Sequence, residues 1–221
     1  MLSTHTVPNT PYNDQGKRPC DFDTRIDVLT DIKKWIVDIS DGSQSFLWLT
    51  GDPGSGKSAI TASIARDCKD DGILWAQFFI SRNLGYTTNP ASYFPSIGRQ
   101  LADCSPDVAL AIHDALKERP SVMDNISQLQ AGKLFVESLK VASSTPDPSR
   151  PVVVVVNRLD ETDPTRLRYT AEIISRALVD LPDNAKVFIS SRTQDFSTST
   201  VSSISTLIHL RTLLSTMFQH S

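Results

Sequence analysis

A three-layer α/β fold, with a parallel sheet of about five strands flanked by helices, is what this sequence predicts. Three observations point to it. Short apolar runs alternate with segments of helical period along the chain. The continuous run Val152-Val153-Val154-Val155-Val156 reads as a strand buried on both faces. A glycine-rich turn, Gly51 to Ser58, joins an apolar run directly to an amphipathic segment.

Taken in order, residues 1–19 are polar and rich in Pro, Asn and Thr, and are expected to form a disordered leader. A helix is expected from near Thr24. Ile26, Leu29, Ile32 and Ile36 share one face, and Asp23 or Thr24 is the expected cap. Ser45–Thr50 reads as a strand, Lys57–Cys68 as a helix and Ile73–Ile80 as a second strand. Ser81–Pro90 reads as a loop. Helices are expected over about 92–102, 106–117 and 129–141, with Pro106 in a first turn. Residues 143–149 form a loop before the valine strand. Arg166–Leu181 is an expected helix, Lys186–Ser190 a strand, and Ile204–Leu210 a candidate fifth strand. The core domain is therefore placed at 20–210, with a short tail at 211–221.

Composition bounds the function. The 221 residues carry a formal net charge of -3, with no basic stripe, which argues against a nucleic-acid partner. No apolar stretch approaches the length of a membrane span, and the N-terminus lacks the apolar region of a secretory signal. Cys20, Cys68 and Cys104 have neither disulfide-framework nor zinc spacing, and are expected to be reduced and mostly buried in a cytoplasmic protein. Trp35, Trp48 and Trp75 are expected to pack in the core or at its edges. Arg166, Arg168 and Arg176 are expected on a solvated helix face with Glu172 and Asp163.

Gly51-Asp52-Pro53-Gly54-Ser55-Gly56-Lys57-Ser58 fits the phosphate-loop pattern G-x-x-x-x-G-K-[ST] at every fixed position. An expected strand precedes it and an expected helix follows it. Glycines let backbone N–H groups curl around phosphate oxygens, and a helix N-terminus adds free donors and partial positive charge. Lys57 is the expected point charge for the terminal phosphates, and Ser58 the expected hydroxyl for Mg²⁺. Residues Gly51 to Ser58, with Ala59, are thus the expected binding set for a nucleoside triphosphate.

Phosphoryl transfer also needs acids at the C-terminal end of a neighbouring parallel strand. The valine strand runs into Asn157-Arg158-Leu159-Asp160-Glu161. Asp160 and Glu161 are the candidate catalytic acids. Asn157 and Asp160 join Ser58 as candidate metal ligands, although Asn157 offers Mg²⁺ only a neutral carbonyl oxygen. Ser190-Ser191-Arg192 ends the next strand and would place a hydroxyl and a guanidinium, with Arg192 catalytic, near the terminal phosphate. The competing readings are an exposed acidic cluster at a helix start and an ordinary strand end.

These stretches resemble a NACHT-type P-loop NTPase, and more narrowly the nephrocystin-like N-terminal NACHT domains of large fungal proteins. The resemblance rests on TRIDVLTDIKKWI (24–36), FLWLTGDPGSGKSAI (46–60), ILWAQFFISR (73–82), VVVVVNRLDE (152–161) and KVFISSR (186–192). It implies that the 186–190 strand lies between the phosphate-loop strand and the valine strand. It also implies ATP, or less often GTP, as ligand, and a signalling switch that oligomerises as activity. Where the family has Asp and then a small residue, this chain has Asn157-Arg158, so weak or absent hydrolysis is expected. The alternatives are a competent NTPase and a truncated, non-enzymatic partner that self-associates or pairs with full-length relatives.

Overall fold

The valine run is the inner ladder of the sheet. In the computed structural model, which describes residues 18–192 apart from 22, 125, 145 and 146, together with residues 6 and 16, strand β3 (Val152–Asn157) is buried at all six positions. It pairs on one side with β4 (Ala185–Arg192) and on the other with β2 (Leu74–Phe79). β1 (Phe46–Gly51) pairs with β4, giving the order β1-β4-β3-β2 with every pair parallel. The strand at 185–192 thus lies between the other two, in the place that the family resemblance implies. The described residues form four strands rather than about five, and Ile204–Leu210 lies outside them, as do 1–5 and 7–15 of the expected leader.

Alternation along each strand separates two cores. Val153, Val155, Leu49, Phe79 and Phe188 face α1 (Ile26–Val37) and α2 (Lys57–Asp70), packing with Ile32, Ile36, Ile60 and Ile64. Val152, Val154, Val156, Trp48, Phe78 and Ile189 face the larger core built by five further helices. These are α3 (Tyr93–Cys104), α4 (Pro106–Glu118), α5 (Gln128–Ala131), α6 (Glu137–Ser144) and α7 (Leu167–Ala177). The result is helices, sheet and helices in three layers. Each fully buried valine contributes about 1.5–3 kcal/mol of apolar burial. Among the described residues no helix is long and apolar enough to cross a membrane.

Several local expectations are corrected. Helix α1 is not capped by Asp23 or Thr24. Its N-cap is Arg25, left-handed at φ 60°, with no side-chain cap, and the Thr24 hydroxyl instead donates to the Asp21 carbonyl at 2.7 Å. The helix expected at 129–141 spans α5 and α6, joined by a π-helical stretch (Gly132–Val136), so Ser143 and Ser144 end a helix rather than start a loop. Cys68 alone of the three cysteines is buried. Burial pushes its thiol up to about 12, whereas Cys20 is half-buried and Cys104 exposed. Of the three tryptophans, Trp48 is buried in the larger core. Trp75 packs against that core while partly exposed. Trp35 donates its indole N–H to the Gln44 carbonyl at 2.8 Å and lies beneath the Lys186 ammonium. On α7, Arg168 meets Glu172 at 3.4 Å on an exposed face, as the spacing suggests.

Two features make quantitative tests. A Cβ on Gly98 would stand 2.9 Å from the Leu134 carbonyl oxygen, so α3 approaches the π-helical stretch at a distance only glycine allows. Gly98→Ala is expected to cost about 1–3 kcal/mol and to lower Tm by roughly 2–4 °C per kcal/mol in thermal melts. Gly132→Ala, which meets nothing within 4 Å, is expected to stabilise by about 0.5–1 kcal/mol in the same melts. The Trp48 indole N–H donates to the buried Ser191 hydroxyl at 2.8 Å, tying β1 to β4. Ser191→Ala removes that bond between the strands, and chemical denaturation is expected to show a loss of about 0.5–1.5 kcal/mol.

Candidate functional site

All four strands run the same way, so their C-terminal ends open on one edge of the sheet, where ligands of open α/β sheets bind. Register decides which residues meet there. Gly51 pairs with Arg192, Thr50 with Ser191 and Val156 with Ile189, which sets Ser190 beside Asn157. A cavity of about 280 Å³ lies at this edge. Its wall includes Gly54, Gly56, Lys57, Ser58, Arg158, Asp160 and Arg192.

The 51–58 loop leaves β1 and enters α2 through Gly56, left-handed at φ 89°, a conformation that costs other residues strain. The Gly56 carbonyl accepts the N–H groups of Ala59 and Ile60 at 3.0 Å, starting the helix. Lys57 Nζ donates to the carbonyls of Gly51 and Asp52, both at 2.7 Å, and to Ser55 Oγ at 3.2 Å. Gly51, Asp52 and Ser55 thus hold the lysine, while Pro53, Gly54, Gly56, Lys57, Ser58 and Ala59 line the cavity. Burial holds the Lys57 ammonium below its usual range. Asp160 and Asp52 pull it back up, and Arg192 and Arg158 push it further down.

The acids are arranged differently from expectation. Asp160 is 3% exposed and reaches the cavity wall, but its carboxylate accepts the Arg192 backbone N–H at 3.2 Å and pairs with Arg192 Nε at 3.2 Å. Glu161 is not on the wall. One carboxylate oxygen accepts the Arg82 backbone N–H at 2.9 Å and the other pairs with the Arg158 guanidinium. Asn157 is also off the wall and wholly buried. Its Oδ1 accepts the Ser190 hydroxyl at 2.7 Å, and its Nδ2 has no hydrogen-bond partner among the described residues. The Ser190 hydroxyl in turn accepts the Arg158 backbone N–H at 3.2 Å, and the Ser191 hydroxyl accepts from Trp48. The SSR strand end therefore brings a guanidinium to the cavity, while both its hydroxyls are engaged within the fold.

A divalent cation fits these donors poorly. Ser58 supplies a neutral hydroxyl, the Asn157 oxygen is taken by Ser190, and Asp160 is neutralised by Arg192. The orphan donor Nδ2 at Asn157 is the wrong polarity for a metal. Among the described residues no group of three His, Cys, Asp or Glu side chains converges on a cation position.

Two residues at this edge take places that motif reading does not assign. Arg158 is left-handed at φ 62° and lines the cavity, a placement that depends on the turn after β3. The Arg25 guanidinium, far away in sequence, lies 3.1 Å from where a Cβ on Gly56 would stand, and so packs over the loop from the start of α1. The signal for Arg25 was a charged residue opening a helix, which is too common to single out.

No curated protein matches this chain. The family model described as nephrocystin 3, N-terminal, matches residues 27–192, which contain β1 through β4, the glycine-rich loop and the arginine-paired acids; the chain belongs to that family.

Proposed function

We propose that this chain binds a nucleoside triphosphate, ATP or GTP, through the Gly51–Ser58 loop as the core of a NACHT-type signalling switch, with hydrolysis weak or absent. The observation that carries the reading is the path from β1 through the loop into α2, which puts Lys57 and Ser58 on the wall of a cavity at the C-terminal edge of a parallel sheet. A helix N-terminus, a lysine and two arginines there form a strongly anion-attracting corner.

Weak turnover follows from the acids. A residue that activates water needs a free carboxylate within hydrogen-bond reach of it. Both oxygens of Glu161 are engaged, one by Arg82 and one by Arg158, away from the cavity wall. Asp160 faces the cavity but is paired with Arg192. The geometry supports gripping a phosphate chain more strongly than cutting it.

Titration calorimetry of the intact chain with ATP is expected to give saturable heat that Lys57→Ala abolishes. No heat in any buffer, with or without magnesium, overturns the nucleotide reading. Phosphate release from ATP is expected to match that of the Lys57→Ala control. A rate well above the control that Glu161→Gln lowers by about 10²-fold or more would instead establish a working hydrolase.

A further inference from the structure

The cavity's charge arrangement goes beyond nucleotide binding in general. Three cationic side chains, Lys57, Arg158 and Arg192, share its wall with a single carboxylate, Asp160. Asn157, at the end of β3, is a neutral amide that is buried and accepts the Ser190 hydroxyl. The next residue, Arg158, adopts a left-handed backbone that L side chains rarely take. This turn brings a guanidinium to the cavity, beside its partner Glu161.

We propose that this site takes its polyphosphate ligand free of magnesium, with the Arg158 and Arg192 guanidinium groups supplying the positive charge that a divalent cation would otherwise bring. The inference rests on the nucleotide reading above and names the species bound: a metal-free nucleoside tri- or diphosphate. A guanidinium stays charged at any accessible pH and has five N–H donors in a planar fork. Glu161 engages one face of the Arg158 fork and Asp160 one of Arg192, so each retains donors for phosphate oxygens. The metal-free polyphosphate carries more negative charge than its magnesium complex; with Arg158 balanced by Glu161 and Arg192 by Asp160, Lys57 leaves this corner net positive, which favours the more anionic form. Both acids keep their partners throughout, so binding leaves no buried carboxylate unpaired.

The test is titration of the intact chain with ATP and with ADP, each in EDTA and again in excess Mg²⁺. Affinity in EDTA is expected to equal or exceed that in Mg²⁺. Arg158→Ala is expected to weaken binding in EDTA by about tenfold or more. The double change Asn157→Asp with Arg158→Ala is expected to convert the site, so that Mg²⁺ now tightens binding. Thermal melts check that each variant is folded, and Arg158→Lys, which keeps the charge, is expected to retain more affinity than Arg158→Ala. Binding by the intact chain that appears only with Mg²⁺, or that EDTA weakens by about tenfold, overturns the inference and leaves the nucleotide reading standing. Equal EDTA affinity in the intact chain and Arg158→Ala also overturns it. No binding in either buffer defeats the nucleotide reading and the inference together.

Discussion

Burial of the valine strand on both faces constrains everything else in this molecule. A strand with no polar face cannot sit at an edge or against solvent, so β3 needs a neighbour on each side and helices above and below. The alternation of its side chains then divides the apolar residues into two cores, one under α1 and α2 and one under the remaining helices. Parallel pairing follows from the helical crossovers, and it brings the ends of β1, β3 and β4 to a single edge. The candidate site is a product of that register. A slip of one residue between β3 and β4 would part Asn157 from Ser190, and one between β1 and β4 would turn Ser191 away from Trp48.

Electrostatic matching governs that edge. Each acid is held by its own arginine, Asp160 by Arg192 and Glu161 by Arg158, and backbone N–H groups complete the coordination of both carboxylates. Carboxylates this deeply buried would be costly if left unpaired. The pairing makes them structural anchors for the turn at 159–161. It also means that the net charge facing the cavity comes from Lys57 and the outward donors of two arginines.

Much of the fold was legible in the sequence because local pattern and tertiary placement agree. The strand, turn and helix around Gly51–Ser58 combine three signals of different kind: an apolar run, glycines at fixed spacing and a helical period. The valine run has no plausible alternative to a buried strand. Less legible were features in which distant residues decide the outcome. The cap of α1 went to Arg25 because the chain turns left-handed at Asp23 and Arg25, which no local propensity favours. The π-helical stretch at Gly132–Val136 accommodates the close approach of α3 at Gly98, a packing event absent from either segment alone. Asp160 and Glu161 look equivalent in sequence, yet one faces the cavity and the other turns to Arg82 and Arg158.

By itself the sequence determined the fold class, the place of the glycine-rich loop and the identity of the charged residues near it. These depend on periodicity and on residue types that act within a few positions of one another. Tertiary structure alone decided how those charges are used. Whether a carboxylate is a free acid or an arginine's counter-ion depends on which strand end lies beside it. Whether Arg158 reaches a cavity depends on a backbone turn imposed by packing after β3. Strand register and turn geometry are long-range outcomes of burial, and for that reason the role of Asn157 to Glu161 emerged only once β4 lay against β3.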